Sequence, residues 1–352
     1  MKLYACDACG QAVHFDNRSC VHCGHRLGFM PERLQLVALE EGENGLFHPF
    51  GEPETALCLC ENAALDVCNW TVSADDTEPY CLTCRHNRFV PNTASHTGLV
   101  RWQRISQAQR HLFYSLLKLN LPHPTRTEDP QGGLIFDFLE DQVDDFGNAV
   151  PAMTLHDEGM IAIRAAEADE DVRAEAKVNM GEPYRTLLGH LRHETGHFVW
   201  NKLVRDAGRL EECRAVFGDE RTDYAQSLQN HYDNGPPPGW QQSYISAYAT
   251  THPWEDFAEC FAHYLHIVDT LETARAFGLA VDPRGHGEIA AEVDFHPYRA
   301  ANAKQLVDAF VPLTVAINSI QRSMGGGDVY PFVLTPAVVD KLEYMHRLVQ
   351  QH

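Results

Sequence analysis

The sequence predicts an α+β protein with a small cysteine-rich N-terminal module and a larger, mostly helical domain that carries a small sheet. Nine of the eleven cysteines precede residue 85. Beyond residue 95 the apolar residues recur mainly at helical spacing, and only short stretches alternate as strands do. A chain of 352 residues is long enough for more than one domain. We therefore expect a domain boundary near residue 95, with domains 1–95 and 96–352.

The composition is that of a soluble globular protein, with 44% hydrophobic and 22% charged residues. The first residues contain no apolar segment of signal-peptide length, and no apolar run approaches the length of a membrane span. We expect a cytoplasmic location without membrane contact. The net charge of -21 argues against a nucleic-acid ligand and against an anionic membrane surface.

Two Cys-x-x-Cys pairs open the chain, Cys6 with Cys9 and Cys20 with Cys23. In a reducing compartment this spacing is typical of metal binding and not of disulfides. Four thiolates at about 2.3 Å close a tetrahedral zinc site. The sequence therefore predicts a structural Zn²⁺ on these four residues.

A second group contains five cysteines, Cys58, Cys60, Cys68, Cys81 and Cys84. Cys81 and Cys84 supply one Cys-x-x-Cys pair, and two of the other three must complete a site. We prefer Cys60 and Cys68, which leaves Cys58 either as a spare thiol or as one that contacts the metal ligands without binding the metal. A redox-active or merely buried cysteine cluster is the alternative. In so small a module, metal binding would contribute folding energy that the core cannot supply.

These features resemble zinc ribbons, many of which bind nucleic acid. Residues 1–95 contain six Lys and Arg against thirteen Asp and Glu, a net charge of −7. The basic surface that nucleic acid requires is missing. A structural role, or the docking of a protein partner, fits the module better.

The elements beyond residue 95 begin with a helix over 102–121, where Ile105, Leu112 and Leu116 can share one face. A strand is predicted over 133–141. A hairpin is predicted where two apolar runs flank residues 156–159, which end in a glycine.

Three more helices are predicted, over 184–200, 253–278 and 335–351. In the last, Thr335 is the expected N-cap and Pro336 occupies the first helical position. Residues 233–240, which are rich in proline, are predicted to form a stiff loop.

The helix over 184–200 carries the pattern His193-Glu194-x-x-His197. Residues four apart project from the same side of a helix, so His193 and His197 can bind one Zn²⁺. Glu194 lies beside the pair, where it can take a proton from a zinc-activated water. Chance alone can produce this pattern in a chain with 20 histidines. A catalytic site also needs a third ligand, a group that orients the histidines and an oxyanion donor.

The helix over 253–278 offers a pair of glutamates, Glu255 and Glu259, four residues apart. They lie among Trp254, Phe257 and Phe261, so this part of the helix is expected to be buried. Glu255 is our candidate for the third ligand. Glu259 can accept a hydrogen bond from the far ring nitrogen of a zinc-binding histidine and so fix its tautomer.

Some roles in this site stay open. Asp256 and His263 are alternatives to Glu255 as third ligand. Tyr248, seven residues before Glu255, can donate its hydroxyl to a developing oxyanion. His190 either contacts the catalytic groups or substrate, or packs in the core.

The pattern His193-Glu194-x-x-His197 followed by Glu255-x-x-x-Glu259 resembles the gluzincin arrangement of metallopeptidases. Residues 248–261 resemble the corresponding helix of the lethal-factor-type peptidases, with a tyrosine the same distance ahead. Nearly the whole chain is similar to bacterial zinc-binding metallopeptidases that have an N-terminal zinc ribbon. The matching stretches are 68–70, 81–85, 182–197, 217–232 and 252–266. The extra Cys58 departs from the family pattern.

This resemblance implies a zincin-like metallopeptidase domain with one catalytic and two structural Zn²⁺, acting on a peptide or protein substrate. Glu194 would be the general base. In zincins a strand beside the active helix offers its edge to an extended peptide, and residues 159–165 are our candidate for it. The alternatives are a non-catalytic, zinc-stabilised scaffold, a nucleic-acid-associated protease guided by its ribbons, and hydrolysis of a non-peptide amide.

Three further expectations concern residues around the site. Asp219 and Glu220 bind a basic substrate group or form an exposed acidic turn, the commoner case. Cys213 and Cys260 are expected to be buried free thiols. Residues 323–332 are expected to form a loop, which could cover the entrance to the site.

Overall fold

The computed structural model describes residues 3–144, 149–180 and 186–351. The chain forms two compact units, Met1–Val172 and Arg173–His352. Helices combine with several small sheets, which confirms the α+β class and the zinc-ribbon module at the N-terminus. The division at residue 172 places residue 95 inside the first unit, so the domain boundary at 95 stays a prediction.

The N-terminal part of the first unit is built from short strands. A two-stranded hairpin, β1-β2, precedes a five-stranded antiparallel sheet of order β3-β4-β5-β6-β7. The strands are β1 (Tyr4–Ala5), β2 (Ala12–Val13), β3 (Arg26–Met30), β4 (Gln35–Glu41), β5 (Phe47–Pro49), β6 (Leu57–Leu59) and β7 (Thr71–Ser73). Phe29 packs between Phe15 and Trp70, with ring centroids 4.8 Å apart in both pairs.

A long helix, α1 (His96–Lys118), begins after the N-cap Ser95, whose side chain accepts a hydrogen bond from the Gly98 amide. This confirms the helix expected over 102–121. Phe15 of the N-terminal module contacts α1, with its ring centroid 5.5 Å from that of Tyr114. The buried Arg110 of α1 donates to the Val67 carbonyl. These contacts explain why the cysteine-rich module and α1 form one unit.

The second sheet of this unit has the order β12-β13-β9-β8. The strands that follow the N-terminal module are β8 (Asn87–Phe89), β9 (Ile135–Leu139), β10 (Gln142–Val143), β11 (Ala149–Val150), β12 (Leu155–Asp157) and β13 (Met160–Arg164). The strand expected within 133–141 and the hairpin around 156–159 are both present. Glu158 and Gly159 form its turn with positive φ values of 42° and 84°.

The expectation that residues 159–165 offer a free sheet edge is wrong. β13 pairs antiparallel with β12 on one side and parallel with β9 on the other. Over Met160–Ala162, β13 therefore has a paired strand on each side, and β12 is the edge strand.

The second unit is mostly helical in the part that the structure describes. Its helices, the first of which crosses the division between the units, are α2 (Glu170–Met180), α3 (Leu187–Trp200), α4 (Leu210–Phe217), α5 (Tyr224–Asn234), α6 (Pro253–Ala276), α7 (Ala303–Ser323) and α8 (Pro336–Gln350). A small hairpin joins β14 (Ala280–Val281) to β15 (Ala291–Glu292). Among the described residues, no helix combines the length and the apolar character needed to span a bilayer.

The three helices expected in this unit are present as α3, α6 and α8, and Thr335 caps α8 as predicted. α3 is capped by Thr186, whose side chain accepts from the Gly189 amide at 2.9 Å. It passes at its end into a π-helical turn, Asn201–Arg205.

The packing of α3 against α6 positions the residues of the site. A Cβ atom built on Gly196 would lie 2.9 Å from Cα and 3.2 Å from the carbonyl oxygen of Ala258. The backbones of α3 and α6 therefore come so close at Gly196 that a side chain there would force one of them to shift. This contact turns one face of α3, with His193 and His197, toward the first turns of α6.

We predict that Gly196→Ala lowers the free energy of unfolding by about 1–3 kcal/mol, because the added methyl group overpacks a backbone contact. Gly287→Ala is the control, since a Cβ atom at Gly287 meets nothing within 4 Å. Urea unfolding of both variants measures the difference. Equal stability of the two would show that α3 and α6 are not in contact at this position.

Candidate metal centres

The first cysteine cluster brings together the four sulfur atoms that the sequence predicts. Cys6 Sγ lies 3.6 Å from Cys23 Sγ, and Cys9 Sγ lies 3.6 Å from Cys20 Sγ. All four sulfurs are within 4.8 Å of one another. Tetrahedral zinc with Zn–S bonds of about 2.3 Å requires sulfurs roughly 3.8 Å apart. The cluster fits a Zn²⁺ ion.

Two thiols of this cluster, Cys20 and Cys6, differ in their tendency to ionise. The Cys23 backbone amide lowers the pKa of the Cys20 thiol to about 6, against the effect of burial. Burial raises the pKa of Cys6 to about 12. A bound cation favours the thiolate at every position, so metal binding removes the cost of burying these groups.

The second cluster consists of Cys60, Cys68, Cys81 and Cys84, all buried and with all sulfurs within 4.8 Å. Cys68 Sγ lies 3.7 Å from Cys81 Sγ, again the spacing of a tetrahedral zinc site. Two backbone amides donate to these sulfurs at 3.4 Å, that of Trp70 to Cys68 and that of Cys81 to Cys60.

Cys58 lies outside this cluster. It belongs to β6, where it pairs with Val72, and its side chain is half-buried. Side chains two residues apart share a face within a strand, but β6 ends at Leu59, so Cys60 lies outside the strand and in different surroundings from Cys58. The grouping agrees with the preference for Cys60 and Cys68.

The third cluster lies between α3 and α6. His193 Nε2 is 2.9 Å and His197 Nε2 is 3.4 Å from Glu255 Oε2, and all three residues are buried. Bonds of about 2.0–2.2 Å from zinc to nitrogen and oxygen place tetrahedral ligands roughly 3.4 Å apart. Two imidazoles and one carboxylate leave a fourth position open, as in catalytic zinc sites. The donor set fits a Zn²⁺ ion.

The alternatives for the third ligand are engaged elsewhere. Asp256 accepts from Lys341 Nζ at 2.6 Å in a buried ion pair. His263 Nδ1 lies 2.7 Å from the Tyr330 hydroxyl, so the loop over 323–332 packs on His263. Neither residue belongs to the cluster with His193 and His197.

Glu259 takes the position expected of a group that orients a histidine. Its Oε1 lies 2.7 Å from Nδ1 of His193. Burial raises the pKa of Glu259, but the hydrogen bond and charge of His193 outweigh it and lower the pKa to about 2. An ionised Glu259 holds the proton of His193 on Nδ1, which leaves Nε2 directed at Glu255.

Glu194 lies beside the histidine pair but outside the ligand set. Its Oε1 is 3.2 Å from Nε2 of His190. Burial raises the pKa of Glu194, and the hydrogen bond and charge of His190 together with His193 and His197 lower it to about 2. His190 therefore contacts the carboxylate that the sequence assigns to proton transfer, the first of the two roles left open for it.

Tyr248 lies near His193, in a short 3₁₀ turn, Tyr248–Thr250. The two ring centroids are 5.8 Å apart. Burial and the nearby Glu255 carboxylate raise the pKa of Tyr248, so its hydroxyl keeps its proton. A neutral phenol at this position can donate a hydrogen bond.

Sequence reasoning missed three residues around the cluster. The Tyr224 hydroxyl donates to Glu255 Oε1 at 2.9 Å. The Trp254 ring packs against His197 at an interplanar angle of 42°, with centroids 3.9 Å apart. The His231 ring centroid is 6.1 Å from that of Tyr248. Tyr224 and His231 both come from α5, within the 217–232 stretch that resembles the metallopeptidase family, and their separation of seven residues indicates a shared helix face.

Other expectations have clear outcomes. Asp219 and Glu220 pair with arginines of their own segment, Arg221 and Arg214 respectively, and so form an internally neutralised turn. Both carboxylates are thus already paired within their own segment, and only Asp219 is exposed. Cys213 and Cys260 are buried free thiols, as predicted. Burial raises the pKa of Cys213 to about 11.

Comparisons with known proteins agree with these metal clusters. Residues 98–348 match the profile of a family described as "putative zinc-binding metallo-peptidase". The chain belongs to this zinc-binding metallopeptidase family. Residues 3–95 match a zinc-ribbon domain.

Uncharacterised proteins of Mycobacterium bovis and Mycobacterium tuberculosis are 37% identical to this metallopeptidase family member over 352 residues, which is 100% of this chain and 96% of each relative. No solved structure matches the chain. Membership of the family supports zinc binding and a peptidase-type function at the level of the family.

We predict that Cys60→Ser removes one zinc per chain and destabilises the first unit, whereas Cys58→Ser leaves the zinc content unchanged. Cys60 sits in the four-sulfur cluster and Cys58 does not. Elemental analysis and thermal unfolding of both variants test this. Loss of zinc from the Cys58 variant would assign the second site to a different set of thiols.

We also predict that zinc binds more weakly to His193, His197 and Glu255 as the pH falls from about 8 to about 6. Burial lowers the pKa of His193, but hydrogen bonds to Glu255 and Glu259 outweigh it and raise the pKa. A proton on His193 therefore competes with the metal, and zinc uptake releases protons. Calorimetry in buffers of different ionisation enthalpy, with both cysteine sites already loaded, measures this release. Uptake without proton release would contradict it.

Proposed function

We propose that the protein is a zinc-dependent metallopeptidase of the gluzincin type, which hydrolyses amide bonds in a peptide or protein substrate. The observation that carries this proposal is the meeting of His193 Nε2, His197 Nε2 and Glu255 Oε2 beside a buried carboxylate, Glu194, that is not part of the ligand set. A carboxylate beside the ligands but outside the ligand set is the arrangement that general-base catalysis on a metal-activated water requires.

His193, His197 and Glu255 would hold the catalytic metal, and the eight clustered cysteines would hold two structural ions. When bound, Zn²⁺ lowers the pKa of a water molecule and polarises a carbonyl group. Glu259 holds the ring of His193 in the tautomer that a metal ligand needs, through its contact of 2.7 Å with Nδ1.

Glu194 is the general base of the proposal. Its carboxylate is ionised at neutral pH and sits next in sequence to a ligand, so it can accept the proton of the attacking water. The same carboxyl group then gives the proton to the leaving amine. His190, at 3.2 Å from Glu194 Oε1, limits the directions in which this carboxylate can point.

Tyr248 is the proposed donor to the oxyanion of the tetrahedral intermediate. Its neutral hydroxyl is carried on a turn that lies just before α6, so the third ligand and the donor are supplied by one short segment. Hydrogen-bond donors fixed in place before reaction stabilise developing negative charge with little reorganisation.

The rival functions make different predictions about metal and charge. A scaffold would close its third site with a fourth side chain, whereas the described residues of this cluster supply two histidines and one glutamate. A nucleic-acid-guided protease requires a basic surface, and residues 1–95 carry a net charge of −7. Hydrolysis of a non-peptide amide would use the same residues and the same chemistry.

We predict that Glu194→Gln retains three zinc ions per chain but lowers turnover of a peptide-library substrate by at least about 10²-fold, because the base is lost. Glu288→Gln is the matched control, since this side chain is 70% exposed on the surface. Elemental analysis and peptide cleavage are measured on the same samples. Undiminished turnover in the Glu194 variant would overturn its role as base.

The metal itself is tested by the double variant His193→Ala/His197→Ala. We expect three zinc ions in the wild type and two in this variant, with no cleavage by the variant. Two zinc ions in both proteins would mean that the histidines hold no metal, and would favour the scaffold.

A further inference from the structure

Glu255 uses its two carboxylate oxygens differently. Oε2 faces the histidines, at 2.9 Å from His193 Nε2 and 3.4 Å from His197 Nε2. Oε1 accepts a hydrogen bond from the Tyr224 hydroxyl at 2.9 Å. Oε2 is thus the oxygen directed at the position where a metal fits, and the hydrogen bond to Oε1 favours this orientation of the carboxylate.

The way a carboxylate binds decides how many positions remain on the metal. A glutamate that binds through one oxygen leaves tetrahedral zinc with one open position after two histidines, whereas binding through both oxygens uses a further position. Hydrogen bonds to the outer oxygen of a ligating carboxylate hold it in place, and their loss typically weakens metal binding.

Tyr224 is fixed by the starts of two helices. It is the first residue of α5, directly after the N-cap Asp223, whose side chain accepts from the Gln226 amide at 3.0 Å. His252, the N-cap of α6, accepts from the Trp254 amide through Nδ1 at 3.1 Å and donates through Nε2 to the Thr222 carbonyl at 3.1 Å.

One imidazole therefore connects the chain just before Tyr224 to the helix that carries Glu255. The Tyr224 ring also packs edge-on against the His252 ring, with centroids 5.3 Å apart. The Tyr224 side chain therefore cannot shift far from Glu255 without breaking the contacts that His252 makes at the start of α6. Its hydroxyl is held where it meets Oε1.

We infer that Tyr224 is a positioning residue that keeps Glu255 a one-oxygen ligand and so preserves the open metal position. This inference rests on the proposed function, because it assumes that His193, His197 and Glu255 hold the catalytic ion. Tyr224 acts through Glu255 and is not itself a group that touches the reacting atoms. It comes from the 217–232 stretch and not from either of the two helices that supply the ligands.

The test compares Tyr224→Phe with Tyr232→Phe. Tyr232 lies on the same helix, is 57% exposed, and the substitution likewise removes one hydroxyl. Zinc is first removed from the histidine site alone, with zinc retained in both cysteine clusters, and zinc affinity is then measured by competition with a chelator. Cobalt added to the same preparation reports coordination number through its visible absorption, with the His193→Ala/His197→Ala variant as the blank.

We expect Tyr224→Phe to lose about 10- to 100-fold in zinc affinity and to show weaker cobalt absorption, as coordination rises above four. Tyr232→Phe should match the wild type in both. If Tyr224 had only a structural role, its loss would leave the cobalt spectrum unchanged. An unchanged cobalt spectrum in Tyr224→Phe therefore overturns the inference, whatever the zinc affinity of that variant. Equal losses in the two variants also overturn it.

The failure of the proposed function looks different. If wild-type protein shows no cobalt signal above the blank, the histidines hold no metal and the proposed function itself fails. If the wild-type signal is present but Tyr224→Phe leaves it unchanged, the metal site stands and only the role of Tyr224 is lost.

Discussion

The candidate active site depends on the contact between the backbones of α3 and α6 at Gly196 and Ala258. A single side chain at Gly196 would be too close to the facing helix. Because the helices meet there, residues that are 62 positions apart in sequence, His193 and Glu255, place ligand atoms at 2.9 Å. Two histidines and two glutamates could not converge if the helices were separated by ordinary side-chain layers. The packing of α3 against α6 therefore sets the positions of the ligand atoms in the site.

The N-terminal module is stabilised in a different way. Met30, Val37, Leu39 and Leu57 form one buried apolar cluster with two partly buried neighbours, and Phe15, Phe29 and Trp70 form a buried aromatic group. Two sets of four thiols would, with bound metal, connect distant segments of this module, as metal sites do in other small modules. The buried Arg110 adds a third connection, from α1 to the Val67 carbonyl beside the second set of thiols. The ribbon and α1 consequently belong to one compact unit, although the sequence changes character at residue 95.

Much of this organisation could be predicted because it follows from local spacing. Cys-x-x-Cys pairs, His-Glu-x-x-His and the glutamates four apart each fix geometry within one turn, and the structure groups them as expected. The partners that join distant segments could not be predicted in this way. Nothing in the spacing ties Tyr224 to Glu255, and strand order cannot be read from one strand, so β13 was assigned an edge that β12 covers. α7 was not predicted, and it contains Pro312 in its interior, where proline is usually disfavoured. The shorter helices α2, α4 and α5, which contain no proline, were not predicted either.

The helix α5 lines the candidate site yet buries none of its residues. It lies between Gly218 and Gly235, which have positive φ values of 98° and 71°. Its free energy of local unfolding should therefore be far smaller than that of α3 or α6, whose inner faces are buried. Because Tyr224 is the first residue of this helix, loss of its order would also break the hydrogen bond from Tyr224 to Glu255. The geometry of a ligand on the deeply buried α6 is thus linked to the stability of an exposed helix of eleven residues.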